Sequence, residues 1–168
     1  HIFDQQNEHR IAWTRFVIFC FLRISGVINF KHLIYFGNIG LLGSSIVFYC
    51  IFAARKPPSV VFIPVPWILF APVSWENMTW AMASIQNYYT LLFAILSLIL
   101  WNRNSIRSRA AATAVAMIAT YTSGYGLMVF PSLIFLHFLR LINTRRNPSD
   151  RAEKKGVHPI VPFVVLII

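Results

Sequence analysis

Long apolar blocks separated by short basic clusters set the rhythm of the chain. The first block, Leu33 to Ala54, holds no Asp, Glu, Lys, Arg or His. At about 20 residues per crossing, it is long enough for one membrane-spanning helix. A Pro-rich segment follows at about Ser59–Val73, then a longer one at about Thr79–Trp101. Two more lie at about Ala110–Tyr121 and Leu127–Leu139, before a last run that starts near Val157. This pattern predicts an all-α, polytopic membrane protein with about six membrane segments.

Local composition refines that picture. Pro64 and Pro66 lie inside the second segment and Pro72 at its end, so a kinked or partly unwound element is expected there. A proline in a membrane helix frees backbone carbonyls that neighbours or water must satisfy. Ala110, Ala111, Ala112, Ala114, Ala116 and Ala119 make the fourth segment rich in small residues, and Gly40 and Ser44 form a small-xxx-small pair in the first. Both features permit close helix approach in lipid. His1 to Lys31 reads differently, because Arg10, Arg15, Arg23 and Lys31 alternate with Trp13, Phe16, Phe19, Phe21 and Leu22. Charges inside a span are costly, so an N-terminal amphipathic helix lying in the membrane interface is expected.

Bulk composition agrees. Hydrophobic residues make up 57% of the chain and charged ones 12%, with a mean hydropathy of +0.63. Soluble domains carry roughly a quarter charged residues, so residues 1–168 read as a single transmembrane domain. The chain begins at His1 and stops at Ile168 within an apolar run, which suits an interior piece of a longer protein. Cys20 and Cys50 lie in apolar stretches and read as packing residues.

The net charge of +10 raises the question of nucleic acid. Its placement argues against that partner. Eleven of the fifteen Lys and Arg residues lie at Arg55-Lys56, at Arg103, Arg107 and Arg109, and from Arg140 through Arg145, Arg146 and Arg151 to Lys154-Lys155. Basic loops 55–58, 102–109 and 140–156 are therefore expected on the cytoplasmic side, with anionic lipid head groups as counter-charge. Each pair of basic clusters is then joined by one hairpin that visits the outer face.

The acids are few and informative. Of the five Asp and Glu residues, Asp150 and Glu153 sit among basic residues in a cytoplasmic loop, where solvated ion pairs are expected. Asp4, Glu8 and Glu76 all map to the outer face. Asp4 and Glu8 belong to the polar run Asp4–Arg10, and Glu76 to Ser74–Trp80 at the crest of the first outer hairpin, with Gln86 and Asn87 below it. The second outer hairpin turns at Ser123–Gly126, where Tyr121 and Tyr125 add hydroxyls and the glycines permit a tight reversal. Convergence of the three elements would make a site. A carboxylate there would serve as general base or hold a divalent metal, His9 and Arg10 would pair with phosphate, and Trp75 and Trp80 would stack on a sugar ring. Plainer roles compete. Glu76 would complement a helix N-terminus capped by Ser74, the tryptophans would form an interfacial belt, His9 and Arg10 would contact head groups, and His137 would be a packed or interfacial histidine. Asn77-Met78-Thr79 also matches the glycosylation sequon.

The order Asn7-Glu8-His9-Arg10-Ile11, then Trp75-Glu76-Asn77 with Trp80 and Gln86, then Ser123-Gly124-Tyr125-Gly126-Leu127 leading to Pro131, resembles a group of uncharacterised bacterial polytopic proteins similar to GT-C class membrane glycosyltransferases. The resemblance covers about Asp4 to Arg146. It implies transfer of a sugar from a polyprenyl-phosphate donor at the outer, periplasmic face of a bacterial inner membrane. Asp4 and Glu8 would be loop acids acting as base or metal ligands, with Glu76 as their partner. His9, Arg10, Trp75, Asn77, Trp80, Gln86 and Tyr125 would contact the substrate or its phosphate. The paired Asp-Asp or Asp-Glu of that class is absent here, since Asp4 and Glu8 are four residues apart. Two other classes compete: a non-catalytic membrane subunit packed among other membrane chains, and a transporter, which commonly needs midplane ionisable residues where this chain offers only His137.

Overall fold

A computed structural model describes residues 12–53, 62–103 and 105–146, with side chains as far as 142. The described residues are all-helical. Helix α1 spans Ala12–Ser25 and α2 Phe30–Ala53; the short α3 (Pro64–Leu69) and α4 (Trp75–Thr79) lead to α5 (Ala81–Asn102), α6 (Ile106–Thr122) and α7 (Val129–Arg146). A 3-10 turn at Pro72–Ser74 precedes α4, and another at Gly124–Met128 precedes α7.

Among the described residues three helical stretches are long and apolar enough to cross a bilayer: Phe30–Ala53, Ala81–Asn102 and Gly124–Ile142. That is the make-up of an integral membrane protein. The other expected segments take different forms. Prolines break the second into α3 and a 3-10 turn, each with a proline in its first turn, because a ring without an N–H cannot sit inside a helix. The fourth becomes α6, which is 17 residues long and carries Arg107 and Arg109 near its start. The run from Val157 lies outside the described residues.

Helix α5 is the hub. It runs beside α2 in the same direction, as paired positions along both helices show. A Cβ added at Gly37 would strike the Ser84 side chain, one at Gly40 would come within 3.0 Å of the Tyr89 ring, and one at Gly43 within 3.4 Å of Leu92. The Gly37/Gly40/Gly43 row thus lets the two backbones approach closely, and Ser44, fully buried, bonds back to Gly40 O at 2.9 Å. Toward the far end, Ile51 and Phe52 meet Ile95. Two helices that run parallel need a returning connection. The intervening chain supplies it: Phe62 and Val65 pack beside Ile51 and Phe52, whereas Met78 O accepts a bond from Asn38 Nδ2 at 2.9 Å.

Helix α6 runs antiparallel to α5. Of its six alanines, Ala112, Ala116 and Ala119 are fully buried, one i, i+4, i+7 row that faces α5. Ser97 Oγ donates to Ala112 O at 2.9 Å, closing that contact. At Gly126 an added Cβ would collide with Ala119 O and lie 2.6 Å from Thr120 N. The glycine therefore serves close approach of the turn to α6, and among the described glycines Gly26, at the α1–α2 turn, is the one with positive φ. Helix α7 returns parallel to α5, and Arg140 Nη2 reaches Asn102 O at 3.1 Å.

Within the N-terminal run the described residues form helix α1, which packs against α2 and α5. Trp13 contacts Tyr89 and Phe93, with ring centroids 5.7 Å and 5.3 Å away, whereas Phe21 contacts Phe36 at 5.7 Å. The order places α1 lengthwise and antiparallel to α5, with Ala12, Thr14 and Val17 buried. Aromatic burial outweighs the charges, since Arg23 stays on the exposed side, its guanidinium 5.1 Å from the Phe19 ring.

Replacing Gly37 by alanine is expected to destabilise the folded protein by about 1–3 kcal/mol through overpacking against Ser84. The same change at Gly43, where an added Cβ meets ordinary contact, is expected to leave the melting temperature in mild detergent nearly unchanged.

Candidate functional site

Helix directions sort the polar residues to the two ends of the bundle. The starts of α2, α5 and α7 share one end with the finish of α6, and with them α4 and the Ser123–Met128 turn. Arg103, Arg107, Arg109 and Arg140 gather at the other end. Two of the three elements expected to converge therefore do so. The third, Asp4–Arg10, lies outside the described residues, as do Asp4, Glu8, His9 and Arg10 individually.

At the first end an open cleft of about 320 Å³ lies between α5, the 3-10 turn and the start of α7. Leu91, Ala94, Leu98, Met128 and Val129 form its apolar part; Asn87, Thr90, Ser123, Tyr125 and Ser132 contribute an amide and four hydroxyls. The volume is at the small end for a ligand pocket. Asn87, Thr90, Leu91, Ala94 and Leu98 fall on one face of α5 at helical spacing. Asn87 Nδ2 donates to Asn77 Oδ1 at 2.8 Å, which ties α4 to the cleft wall.

The hydroxyl of Thr90 is the unusual member. Serine and threonine side chains inside membrane helices commonly bond back to a carbonyl one turn earlier. Ser44, Ser45, Thr113, Thr120, Thr122 and Ser132 all do so here, at 2.8–3.1 Å. Thr90 is only 9% exposed, and its Oγ1 has no hydrogen-bond partner. Thr14 Oγ1 and Tyr88 Oη are unpaired in the same way; Thr90 is the one of the three whose residue lines the cleft, with its oxygen shielded behind the wall.

The remaining expected site residues are placed as follows. Glu76 is exposed in the first turn of α4, and Ser74 makes no side-chain cap, so the capping role fails while the position near the helix start holds. Trp75 and Trp80 are 61% and 64% exposed, a disposition that fits an interfacial belt. Gln86 is half-buried, and it is its neighbour Asn87 that lines the cleft. Tyr125 is exposed and also lines the cleft. Among the described residues no group of three His, Cys, Asp or Glu side chains is placed to hold a metal. A metal held by Asp4 or Glu8 falls outside those residues.

Sequence reasoning missed Thr90, Ser123 and Ser132. Thr90 was accessible through its helical spacing from Asn87 and Ala94, whereas Ser123 and Ser132 depend on how the turn folds back. Comparison of the chain with protein-family models, curated proteins and solved structures gave no match.

Because Thr90 Oγ1 lacks a partner, Thr90→Val is expected to be neutral or slightly stabilising in thermal unfolding. Ser97→Ala, which removes a buried bond and leaves a small void, is expected to cost about 1 kcal/mol.

Proposed function

We propose that the protein is a membrane glycosyltransferase-like enzyme that moves a sugar from a polyprenyl-phosphate donor, with the cleft beside Thr90 receiving the donor's polar part. The observation that carries this reading is the pairing of an apolar floor with an unsatisfied hydroxyl and a tethered amide at one end of the bundle. An amphiphilic donor has the same two-sided character: its isoprenoid chain remains among apolar side chains while sugar hydroxyls replace water on Asn87 and Tyr125 and supply the partner that Thr90 lacks.

In this reading the arginine-rich end faces the cytoplasm of a bacterial inner membrane and the Glu76 end faces outward, following the charge rule. Six membrane segments complete the topology, with the broken 62–79 stretch and α6 as the short crossings and the run from Val157 as the last. Glu76 lies one residue from Asn77, whose side chain is bonded to the cleft-lining Asn87. From there it supports a loop acid, Asp4 or Glu8, that acts as base or holds a divalent metal. His9 and Arg10 contact the phosphate. Trp75, Trp80 and Gln86 flank the sugar.

The test is transfer of labelled sugar from a polyprenyl-phosphate donor in proteoliposomes. Glu8→Gln is expected to abolish transfer, by a factor of a hundred or more in keeping with loss of a general base, and Glu76→Gln to reduce it, with the helical circular dichroism of both intact. Full activity in Glu8→Gln would remove the catalytic assignment. The absence of any transfer by the wild-type chain, together with stable co-purification of other membrane chains, would favour the rival role of a packing subunit.

A further inference from the structure

The Glu76 end of the bundle also carries cations, at the tip of the hairpin that α1 and α2 form. The tip is a well-bonded turn. Gly26 takes a φ of 70°, and its N–H donates to Leu22 O at 2.9 Å, which closes α1. Ser25 Oγ donates to Phe21 O at 2.7 Å, with Val27 O as an alternative acceptor at 2.8 Å. On the other side Asn29 caps α2, its Oδ1 accepting from Lys31 N at 3.0 Å. These local bonds fix the backbone from which each side chain of the turn projects.

What the turn directs outward is mostly apolar. Ile24, Val27 and Phe30 are 87%, 69% and 68% exposed, with Leu22 and Ile28 exposed beside them. Arg23 and Lys31 flank the turn and are exposed as well. The Arg23 guanidinium lies 5.1 Å from the Phe19 ring. No Asp or Glu occurs in the sequence between Glu8 and Glu76, so the charge of this hairpin has one sign. Length then decides what such a surface meets. Helix α2 has 24 residues and is about 36 Å long, against about 30 Å for the hydrocarbon core of a bilayer. The uncharged block that starts at Leu33 fills the core, so Lys31 stands at its edge and residues 24–29 reach the head-group layer. In that layer apolar side chains bend back among acyl chains, while Arg and Lys keep their charges with the phosphates. An uncharged partner would cover the apolar side chains and leave both cations unmatched; an anionic lipid surface matches both parts.

We infer that the α1–α2 tip is a lipid-anchoring surface that selects anionic phospholipids, with Arg23 and Lys31 on the head groups and Ile24, Val27 and Phe30 among the upper acyl chains. The inference stands apart from the glycosyl-transfer reading, since it uses none of the cleft residues and applies to either leaflet. Anchored in this way, the tip sets the depth of α2 in the membrane, and through the α2–α5 contact that of the whole bundle.

Quenching of a probe at the tip by brominated lipids tests this in the full chain, reconstituted into vesicles of mixed phosphatidylcholine and phosphatidylglycerol at physiological salt. The probe is a bimane on Val27→Cys, with Cys20 and Cys50 replaced by alanine. Its emission should be that of an apolar setting. Brominated phosphatidylglycerol should quench it at least about threefold more strongly than brominated phosphatidylcholine at equal mole fraction, since each surface cation adds several-fold to the attraction of an anionic lipid. The Arg23→Gln, Lys31→Gln double variant should bring that ratio close to one, whereas Arg23→Lys with Lys31→Arg should keep it. Both positions are exposed, so the variants should fold, with circular dichroism as the check. Salt at about 1 M, which shortens the screening length to about 3 Å, should also level the ratio. Water-like emission, equal quenching by the two lipids, or a ratio unchanged in the glutamine variant would each overturn the inference. Apolar emission that neither lipid quenches would show that protein covers the tip, and would overturn it too.

Discussion

Close approach of α2 to α5 is the constraint on which the remaining architecture rests. In lipid, apolar side chains gain nothing from leaving water, so helices associate through fit and through buried hydrogen bonds. Gly37 and Gly40 supply the fit by presenting bare backbone to Ser84 and the Tyr89 ring. Tyr89 then secures the pair by donating its hydroxyl to Phe36 O at 3.2 Å, while its ring stacks on Phe36 at 5.0 Å. Because this contact aligns two helices in parallel, the chain between them has to travel back along the bundle. Proline makes that return possible in an irregular form, and Asn38 fixes its far end by bonding Met78 O.

The same constraint builds the two chemical ends. Once α5 is set by α2, the alanine row of α6 lies against its opposite side, and the α6–α7 turn folds over Asn87 and Thr90. The short turn brings Ser123 and Tyr125 to the cleft, with Gly126 pressed on the carbonyl of Ala119. At the other extreme, the ends of α5 and α7 and the start of α6 bring Trp101, His137, Arg109 and Arg140 together. One end thus carries Glu76 and the hydroxyls of the cleft, and the other gathers Arg103, Arg107, Arg109 and Arg140. In the proposed topology that asymmetry, more than any single residue, sets the orientation in the membrane.

Much of this was legible in the sequence because it rests on composition and period. The uncharged block from Leu33 and the apolar run ending at Trp101 announce α2 and α5, and the small residues of the fourth segment announce a close contact. What the sequence withheld depends on rotation and register. Six alanines were equally plausible as interface residues, but only Ala112, Ala116 and Ala119 are fully buried, since a helix presents one face at a time. Gln86 and Asn87 were indistinguishable until the rotation of α5 turned Asn87 to the cleft. His137, read as a packed or interfacial residue, has its ring edge-on to Trp101, a contact that follows only from α5 and α7 meeting. The direction of α1 was likewise not readable from its own residues, since aromatic partners on α5 decide it. Trp13, Tyr89 and Phe93 cluster because α1 lies along the bundle.

The proposed topology puts the Glu76 end and the arginine-rich end on opposite sides of one membrane, the latter in the cytoplasm. Cysteine accessibility tests it most directly, in a background where Cys20 and Cys50 are replaced by alanine. Single cysteines at Glu76 and Tyr125 should react with a membrane-impermeant maleimide in intact cells, whereas cysteines at Arg103 and Arg107 should react only after permeabilisation. Labelling of Glu76→Cys and Arg103→Cys from the same side would contradict the account, because α5 would then not cross the membrane between them.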